Sequence, residues 1–284
     1  MLKINIEAVQ DIIREVANKE ILPRFRHLEK EDIDYKIGDD PVTIADKAAE
    51  KELSRRFLEL LPGSKVLGEE AFFANHGLLD LFSDESPVWI IDPIDGTRNY
   101  VSGRPIFGVI VALTERNQTV AAWLYDPLSG EFITAEKGAG AFHKRRRLKV
   151  LEPDHLDKML GAGIELEYAH NAALKRSDTA LLSGPVLEPS LWSICHEYAR
   201  LVTGSPSFSA LGSQWHFHGL LSYCTPWDNA AGILIHGESG GYSAHWDGTA
   251  HRPNAFGRGV LLAPDQASWH NIRRWVSSFA EIPV

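Results

Sequence analysis

Hydrophobic residues recur at three- to four-residue spacing from Ile6 to Phe25, at Ile6, Val9, Ile12, Ile13, Val16, Ile21 and Leu22. That period predicts an amphipathic helix that stops near Pro23. A second helix is predicted from Ile44 to Leu61, with Ala45, Ala48, Leu53, Phe57, Leu58 and Leu61 facing inward and Pro62-Gly63 as its stop. Lys36 to Pro41 reads as a polar loop between them. The pattern then shortens to strand-length apolar runs at Lys65–Leu67 and Val88–Ile91, each followed by acidic residues. From Ile106 to Val150 four further runs, Phe107–Leu113, Thr119–Tyr125, Glu131–Ala135 and Gly140–His143, are separated by turn residues and predict an antiparallel meander. After Pro153 the texture changes: a strand over Met159–Ile164, then helices around Leu191–Leu201, Trp227–His236 and Ala267–Phe279.

The chain has 284 residues, enough for two ordinary domains or one large α/β domain. The change of texture places a boundary near residue 150, dividing an N-terminal α+β half (1–150) from a C-terminal α/β half (151–284). No Gly- or Ser-rich linker separates the halves, so they are expected to pack together. A hydrophobic content of 44% with 24% charged residues excludes wholesale disorder. The formal charge of −9 argues against a nucleic-acid backbone as a general partner. The basic run His143–Arg147 follows a glycine-rich hairpin signal and carries no interleaved aromatics, so it reads as a solvated turn. Cys195 and Cys224 have no zinc-ligand spacing and read as small buried apolar side chains. The N-terminus lacks the continuous apolar core of a signal peptide, and no stretch approaches the roughly 18 apolar residues of a membrane span. A cytoplasmic protein without a membrane partner is the expectation.

The chemistry concentrates in Trp89-Ile90-Ile91-Asp92-Pro93-Ile94-Asp95-Gly96-Thr97-Arg98-Asn99-Tyr100. An apolar strand delivers Asp92 at its end, Pro93 breaks the ladder, and Asp95 is turned toward the same space. Two acids three residues apart are commonly a solvated turn. Here Gly96-Thr97 follows, where exposed N–H groups of a helical turn form an anion site. Gly68-Glu69-Glu70 ends another predicted strand. Thr225-Pro226-Trp227-Asp228 reads as a capped helix start, with Thr225 at the cap and Asp228 at the third position. Each acid has an ordinary explanation, and together they suggest metal ligands beside a phosphate-binding turn.

These residues resemble the inositol monophosphatase family, magnesium-dependent and lithium-sensitive phosphomonoesterases that share a fold with fructose-1,6-bisphosphatase. The resemblance rests on Asp40-Pro41-Val42-Thr43 with Ala45-Asp46, Gly68-Glu69-Glu70, Asp92 to Thr97 with Asn99-Tyr100, Pro226-Trp227-Asp228 with Ala230-Ala231-Gly232, and Glu238-Ser239-Gly240-Gly241. It implies an α+β fold of layers α-β-α-β-α, a site between the two halves, and a homodimer. It further implies that Glu69, Asp92 and the Ile94 carbonyl hold one Mg²⁺ and that Asp92, Asp95 and Asp228 hold a second. A weaker third ion would be shared by Glu69, with Asp46 and Glu70 acting through waters. Gly96 and Thr97 would receive the phosphate, Thr97 with Asp46 would orient the attacking water, and Asp95 and Asp228 would also touch substrate. Two Mg²⁺ would offset four formal negative charges, so the acidic balance does not exclude a small phosphorylated metabolite.

The substrate is less determined. Inositol-specific members place a glutamate seven residues before the last metal-binding aspartate, where this chain has Leu221. Gly212 to His218 is bulkier than the small-residue helix expected there, and an HxH pair, His216 and His218, would share one face only on a strand. Asp95-Gly96-Thr97-Arg98 with Ser102–Gly108 looks like the histidinol-phosphate phosphatase branch, although Trp227 stands where that branch more often has tyrosine. The readings are an inositol monophosphatase-like hydrolase, the same chemistry on histidinol phosphate, a sugar bisphosphate or a 3′-phosphonucleotide, and a non-catalytic role through protein partners.

Overall fold

A computed structural model of the protein describes residues 3–36, 38–83, 85–175, 184–202, 214–222 and 224–282. Helix α1 (Ile6–Val16) is capped by the Asn5 side chain, which accepts from the N–H groups of Glu7 and Ala8. The helix does not run regularly to Phe25. It widens into a π turn over Ala17–Ile21 and tightens into a 3₁₀ turn over Leu22–Arg24. Pro23 has no N–H with which to continue an α ladder, so the winding changes there. The expected polar loop is part of a hairpin, in which β1 (Ile33–Lys36) pairs antiparallel with β2 (Asp40–Thr43). Thr43 and Asp46 then form a reciprocal capping box at the start of α2 (Ile44–Leu60).

A seven-stranded sheet follows, in the order β3 (Lys65–Gly68), β4 (Val88–Asp95), β5 (Gly108–Glu115), β6 (Gln118–Asp126), β7 (Glu131–Glu136), β8 (Gly140–His143), β9 (Arg146–Arg147). Only β3 and β4 are parallel within it, and the rest is the antiparallel meander. Short helices α3 (Glu69–Ala74) and α4 (Thr97–Val101) begin at the ends of β3 and β4. The second half contributes β10 (Leu160–Ala162), α5 (Ile164–Lys175), β11 (Val186–Leu187), α6 (Ile194–Val202), β12 (Phe217–Leu220), α7 (Pro226–Glu238), β13 (Tyr242–His245), β14 (Val260–Ala263) and α8 (Gln266–Val276). Its five-stranded sheet has the order β11-β10-β12-β14-β13.

Side-chain alternation assigns the layers. Trp89, Ile91, Val109, Val111, Leu113 and Trp123 pack with α1 and α2, whereas Val88, Ile90, Ile110, Ala112 and Leu124 pack with α6 and α7. Both faces of this sheet are covered, which explains why its central runs are almost continuously apolar rather than alternating. The cluster holding α6 and α7 also takes Ala162, Leu220, Val260 and Leu262 from the second sheet. That sheet's far face packs Phe217 and Leu261 against Leu166 of α5 and Trp269 and Ile272 of α8. The order of layers is α-β-α-β-α, as the resemblance implied. No helix among the described residues is long and apolar enough to cross a membrane.

Candidate active site

Because β3 and β4 run parallel and in register, Gly68 opposite Ile91, the acids that follow both strands emerge side by side. Between Asp92 and Asp95 the register of β4 against β5 shifts, and the N–H of Ile94 donates to Asp92 Oδ1 at 3.0 Å. This irregularity turns both carboxylates into one space. Asp228 arrives from the first turn of α7, where Thr225 accepts from its N–H at 3.4 Å and donates to its Oδ2 at 2.6 Å. Oxygens of Asp92, Asp95 and Asp228 all lie within 4.8 Å of one another, the one such group of potential metal ligands among the described residues. Burial, reinforced by Glu69 and the neighbouring aspartates, pushes the carboxyls of Asp92 and Asp228 well above the ordinary range. Burial raises Asp95 to about 7, against hydrogen bonds that favour its charged form. Two unit charges ~4 Å apart repel by roughly 4 kcal/mol at an effective dielectric near 20, so such a cluster favours a bound cation.

Glu69 and Glu70 open α3, and Glu50 of α2 caps it by accepting from the N–H groups of Glu70 and Ala71 at 2.8 Å each. A Cβ at Gly68 would come within 2.2 Å of the Glu50 carboxyl carbon, so the glycine makes room for this cap. Lys36 at the end of β1 reaches one oxygen of Glu69 and one of Glu70, both at 2.7 Å. Burial lowers the lysine's pKa, but the two carboxylates outweigh it and hold the ammonium above its usual value. Glu70 is raised to about 8 and Glu50 to about 7, chiefly by burial. Asp46 is raised to about 6 by the same cause. Its Oδ2 accepts from the N–H of Thr43 at 2.8 Å, and its Oδ1 lies 3.3 Å from the Thr97 hydroxyl. That hydroxyl has a closer acceptor in the Ile94 carbonyl, at 2.9 Å.

Gly96 adopts φ 83°, and a Cβ there would meet the carbonyl oxygens of Trp192 and Ile106 at 3.0 and 3.1 Å. It leads into the first turn of α4, whose N–H groups lack partners within the helix. Glu69, Asp92, Ile94, Asp95, Gly96, Thr97 and Asp228 line a cavity of about 280 Å³, which Arg98, Ile164, Trp192, Ile194, Leu220 and Trp227 help to enclose; Asp46 and Glu70 do not line it.

Several contributors lie outside the sequence motifs. Asp95 Oδ1 accepts from the N–H of Ile194 at 3.0 Å, and its Oδ2 accepts from the N–H of Cys195 at 2.9 Å and the Ser193 hydroxyl at 2.5 Å. Ser193 Oγ also meets His196 Nδ1 at 2.9 Å, and His196 Nε2 stands 4.0 Å from Asp126 Oδ2. A buried polar chain thus runs from Asp95 through Ser193 and His196 to Asp126. The helix behind the site is therefore α6, not the Gly212–His218 segment. Gly212 and Ser213 lie outside the described residues, and Phe217 and His218 belong to β12. The helix expected around Leu191–Leu201 is α6, and its Cys195 Sγ would be 2.4 Å from a Cβ at Gly108, marking a close helix–sheet approach. His216 and His218 do not share a site: His216 Nδ1 accepts from the N–H of Leu160, while His218 Nδ1 lies 3.3 Å from Glu197 Oε2. Asn99 and Tyr100 act as fasteners. The Asn99 amide donates to the carbonyls of Ile106 and Leu191 at 2.9 Å each, and Tyr100 donates to Ile21 O at 2.6 Å.

The family model of the inositol monophosphatase family matches residues 1–281. The chain belongs to this family. Among family relatives, the inositol monophosphatase of Dictyostelium discoideum is 31% identical over 244 residues, covering 83% of this chain and 82% of that protein. The Nus factor SuhB of Xylella fastidiosa is 32% identical over 226 residues, covering 78% and 72%. Among solved structures, the IMPase of Thermotoga maritima superposes with a TM-score of 0.74 at 22% identity over 96% of each chain, which shows the inositol monophosphatase fold. Leu221, where the resemblance leads one to expect a glutamate, packs against the C-terminal core cluster while its N–H donates to Glu165 Oε2 at 2.7 Å. Its neighbour Leu220 lines the cavity instead.

Proposed function

We propose that this protein is a magnesium-dependent phosphomonoesterase that hydrolyses a small phosphorylated metabolite by direct attack of water. The observation that carries the reading is the convergence of Asp92, Asp95 and Asp228 on one cavity beside the Gly96-Thr97 turn. The donor set fits Mg²⁺, a hard ion that takes carboxylate and carbonyl oxygens and completes its shell with water and phosphate. Glu69, Asp92 and the Ile94 carbonyl would hold one ion, and Asp92, Asp95 and Asp228 a second. A third would draw on Glu69, with Asp46 and Glu70 acting through waters. When bound, such ions supply Lewis acidity, lowering the pKa of the attacking water and offsetting charge on the leaving oxygen.

The chain's own residues orient the reaction. The N–H groups of Gly96 and Thr97 receive the phosphate oxygens at the start of α4. The Thr97 hydroxyl, poised between Ile94 O and Asp46 Oδ1, holds the attacking water, and the raised pKa of Asp46 suits it to take up the proton. Measuring phosphate release from inositol 1-phosphate, histidinol phosphate, fructose 1,6-bisphosphate and a 3′-phosphonucleotide, with Mg²⁺ and with chelator, tests the reading. Mg²⁺-dependent release from at least one ester is the expected result, and none from any would overturn it. A second, partner-mediated role is favoured by the similarity to proteins named Nus factor SuhB. Capture of the same partner by wild type and Asp92→Asn would support it, since such a role does not need the metal site.

A further inference from the structure

The cavity lining has two chemical components. Besides the aspartates it includes Asp40 and Arg98, whose side chains stand 3.6 Å apart. Its apolar component is Ile164, Trp192, Ile194, Leu220 and Trp227. Ser190, Ser193 and Glu197 also line it and are already engaged, Ser193 with Asp95. Ser190 Oγ donates to Glu197 Oε1 at 2.6 Å and accepts from the N–H of Trp192 at 3.1 Å. Glu197 is only 3% exposed; its Oε1 also accepts from the N–H of Leu191 at 2.8 Å, and its Oε2 faces His218. A polyol bound here would turn hydroxyls toward a wall with few open hydrogen-bonding partners, which is costly for buried polar groups.

Trp192 is the unusual member of this wall. It adopts φ 57°, a left-handed conformation rare for a bulky side chain, and it remains 45% exposed while lining the cavity. The surrounding contacts over-determine that conformation. Glu197 and Ser190 hold the loop from the α6 side, and Asn99 donates to the Trp192 carbonyl at 3.2 Å from the phosphate-turn side. That carbonyl also packs 3.0 Å from where a Gly96 Cβ would stand. A large aromatic is thus locked, half uncovered, in register with the phosphate turn. Strained residues held in this way cluster at ligand clamps.

Resting on the phosphatase reading above, we propose that Trp192 is a specificity-determining residue, and that the preferred substrates are phosphate monoesters of alcohols bearing a flat aromatic or heteroaromatic ring. Trp192, half exposed at the cavity, offers an aromatic face for stacking, and Ile164, Ile194 and Leu220 add apolar surface to the same cavity. Glu197 is a positioning residue that holds the Trp192 loop.

The test compares kcat/KM for ring-bearing esters (histidinol phosphate, a 3′-phosphonucleotide) with that for polyol esters (inositol 1-phosphate, glycerol 2-phosphate). It uses wild type, Trp192→Phe and Trp192→Leu, each checked for fold by circular dichroism. Wild type is expected to favour the ring-bearing esters. Trp192→Leu should lower the ring-to-polyol ratio by roughly three- to tenfold, mainly through KM, and Trp192→Phe should restore most of it. A wild-type preference for polyol esters, or an unchanged ratio in Trp192→Leu, would overturn the proposal while leaving the phosphatase reading intact. Absence of hydrolysis of every ester would instead defeat that reading.

Discussion

Asp95 receives three hydrogen bonds from the start of α6, so residues outside the acidic cluster decide where one of its carboxylates sits. His196→Ala removes the group that fixes Ser193 and should weaken Mg²⁺ binding roughly tenfold, as measured by calorimetry. Unaltered affinity would show that Ser193 holds its place alone. Thr97→Ala should lower kcat by about 10²-fold while KM stays within about threefold. A change confined to KM would mean that Thr97 binds substrate rather than orienting water. At this scale the sequence showed Asp92, Asp95 and Asp228, because strand ends, a proline break and a helix cap are local patterns. Lys36, Glu50 and His196 were not legible. Their partners Glu69, Glu70 and Asp126 stand in other elements, and pairings across the fold leave no periodicity to read.

Helix starts were the most readable elements. Thr225 with Asp228 forms the side-chain cap that its spacing suggests, and the structure adds a second capping box, Thr43 with Asp46, at the start of α2. The apolar texture of Leu191-Trp192 predicts a start for α6 three residues too early, because the loop is tied to Glu197 and Asn99 and the helix begins only at Ile194. The family's small-residue helix is expected at Gly212–His218, but the helix behind the site is α6, and of that segment Phe217 and His218 belong to β12, which pairs with β10 and β14. Element junctions also impose steric demands. Gly68→Ala would force the Glu50 cap away from α3 and should destabilise the protein by about 1–3 kcal/mol. Denaturant titration reads this directly, and a wild-type midpoint would show that Glu50 can retreat without loss.

The layer order α-β-α-β-α follows from the resemblance to the family; the hydrophobic pattern marks the individual strands and helices but not how they stack, which is set by covering both faces of each sheet. The same architecture concentrates acids at one cavity, and that gives the molecule a predictable response to pH. In the metal-free protein the Asp95 and Glu70 carboxyls titrate at about 7 and about 8, raised from ordinary values near ~4. The folded state then holds protons that the unfolded chain has released. Their contribution is fully present below about pH 4 and is lost as pH rises through about 7 to 8. Burial holds His218, His236 and His251 neutral in the folded state, which pulls stability the other way below about pH 6.5. The metal-free Tm should therefore fall between about pH 7 and pH 8, while the Tm gain on adding Mg²⁺ grows over the same window. A metal-free Tm that rises across that window would contradict the assignment.

The most direct test is Mg²⁺-dependent phosphate release by wild type and Asp92→Asn, side by side on the best ester of the panel. The account predicts release by wild type that chelator abolishes, and a fall of at least about 10³-fold in Asp92→Asn with an unchanged circular dichroism spectrum. Wild-type turnover by folded Asp92→Asn would contradict it.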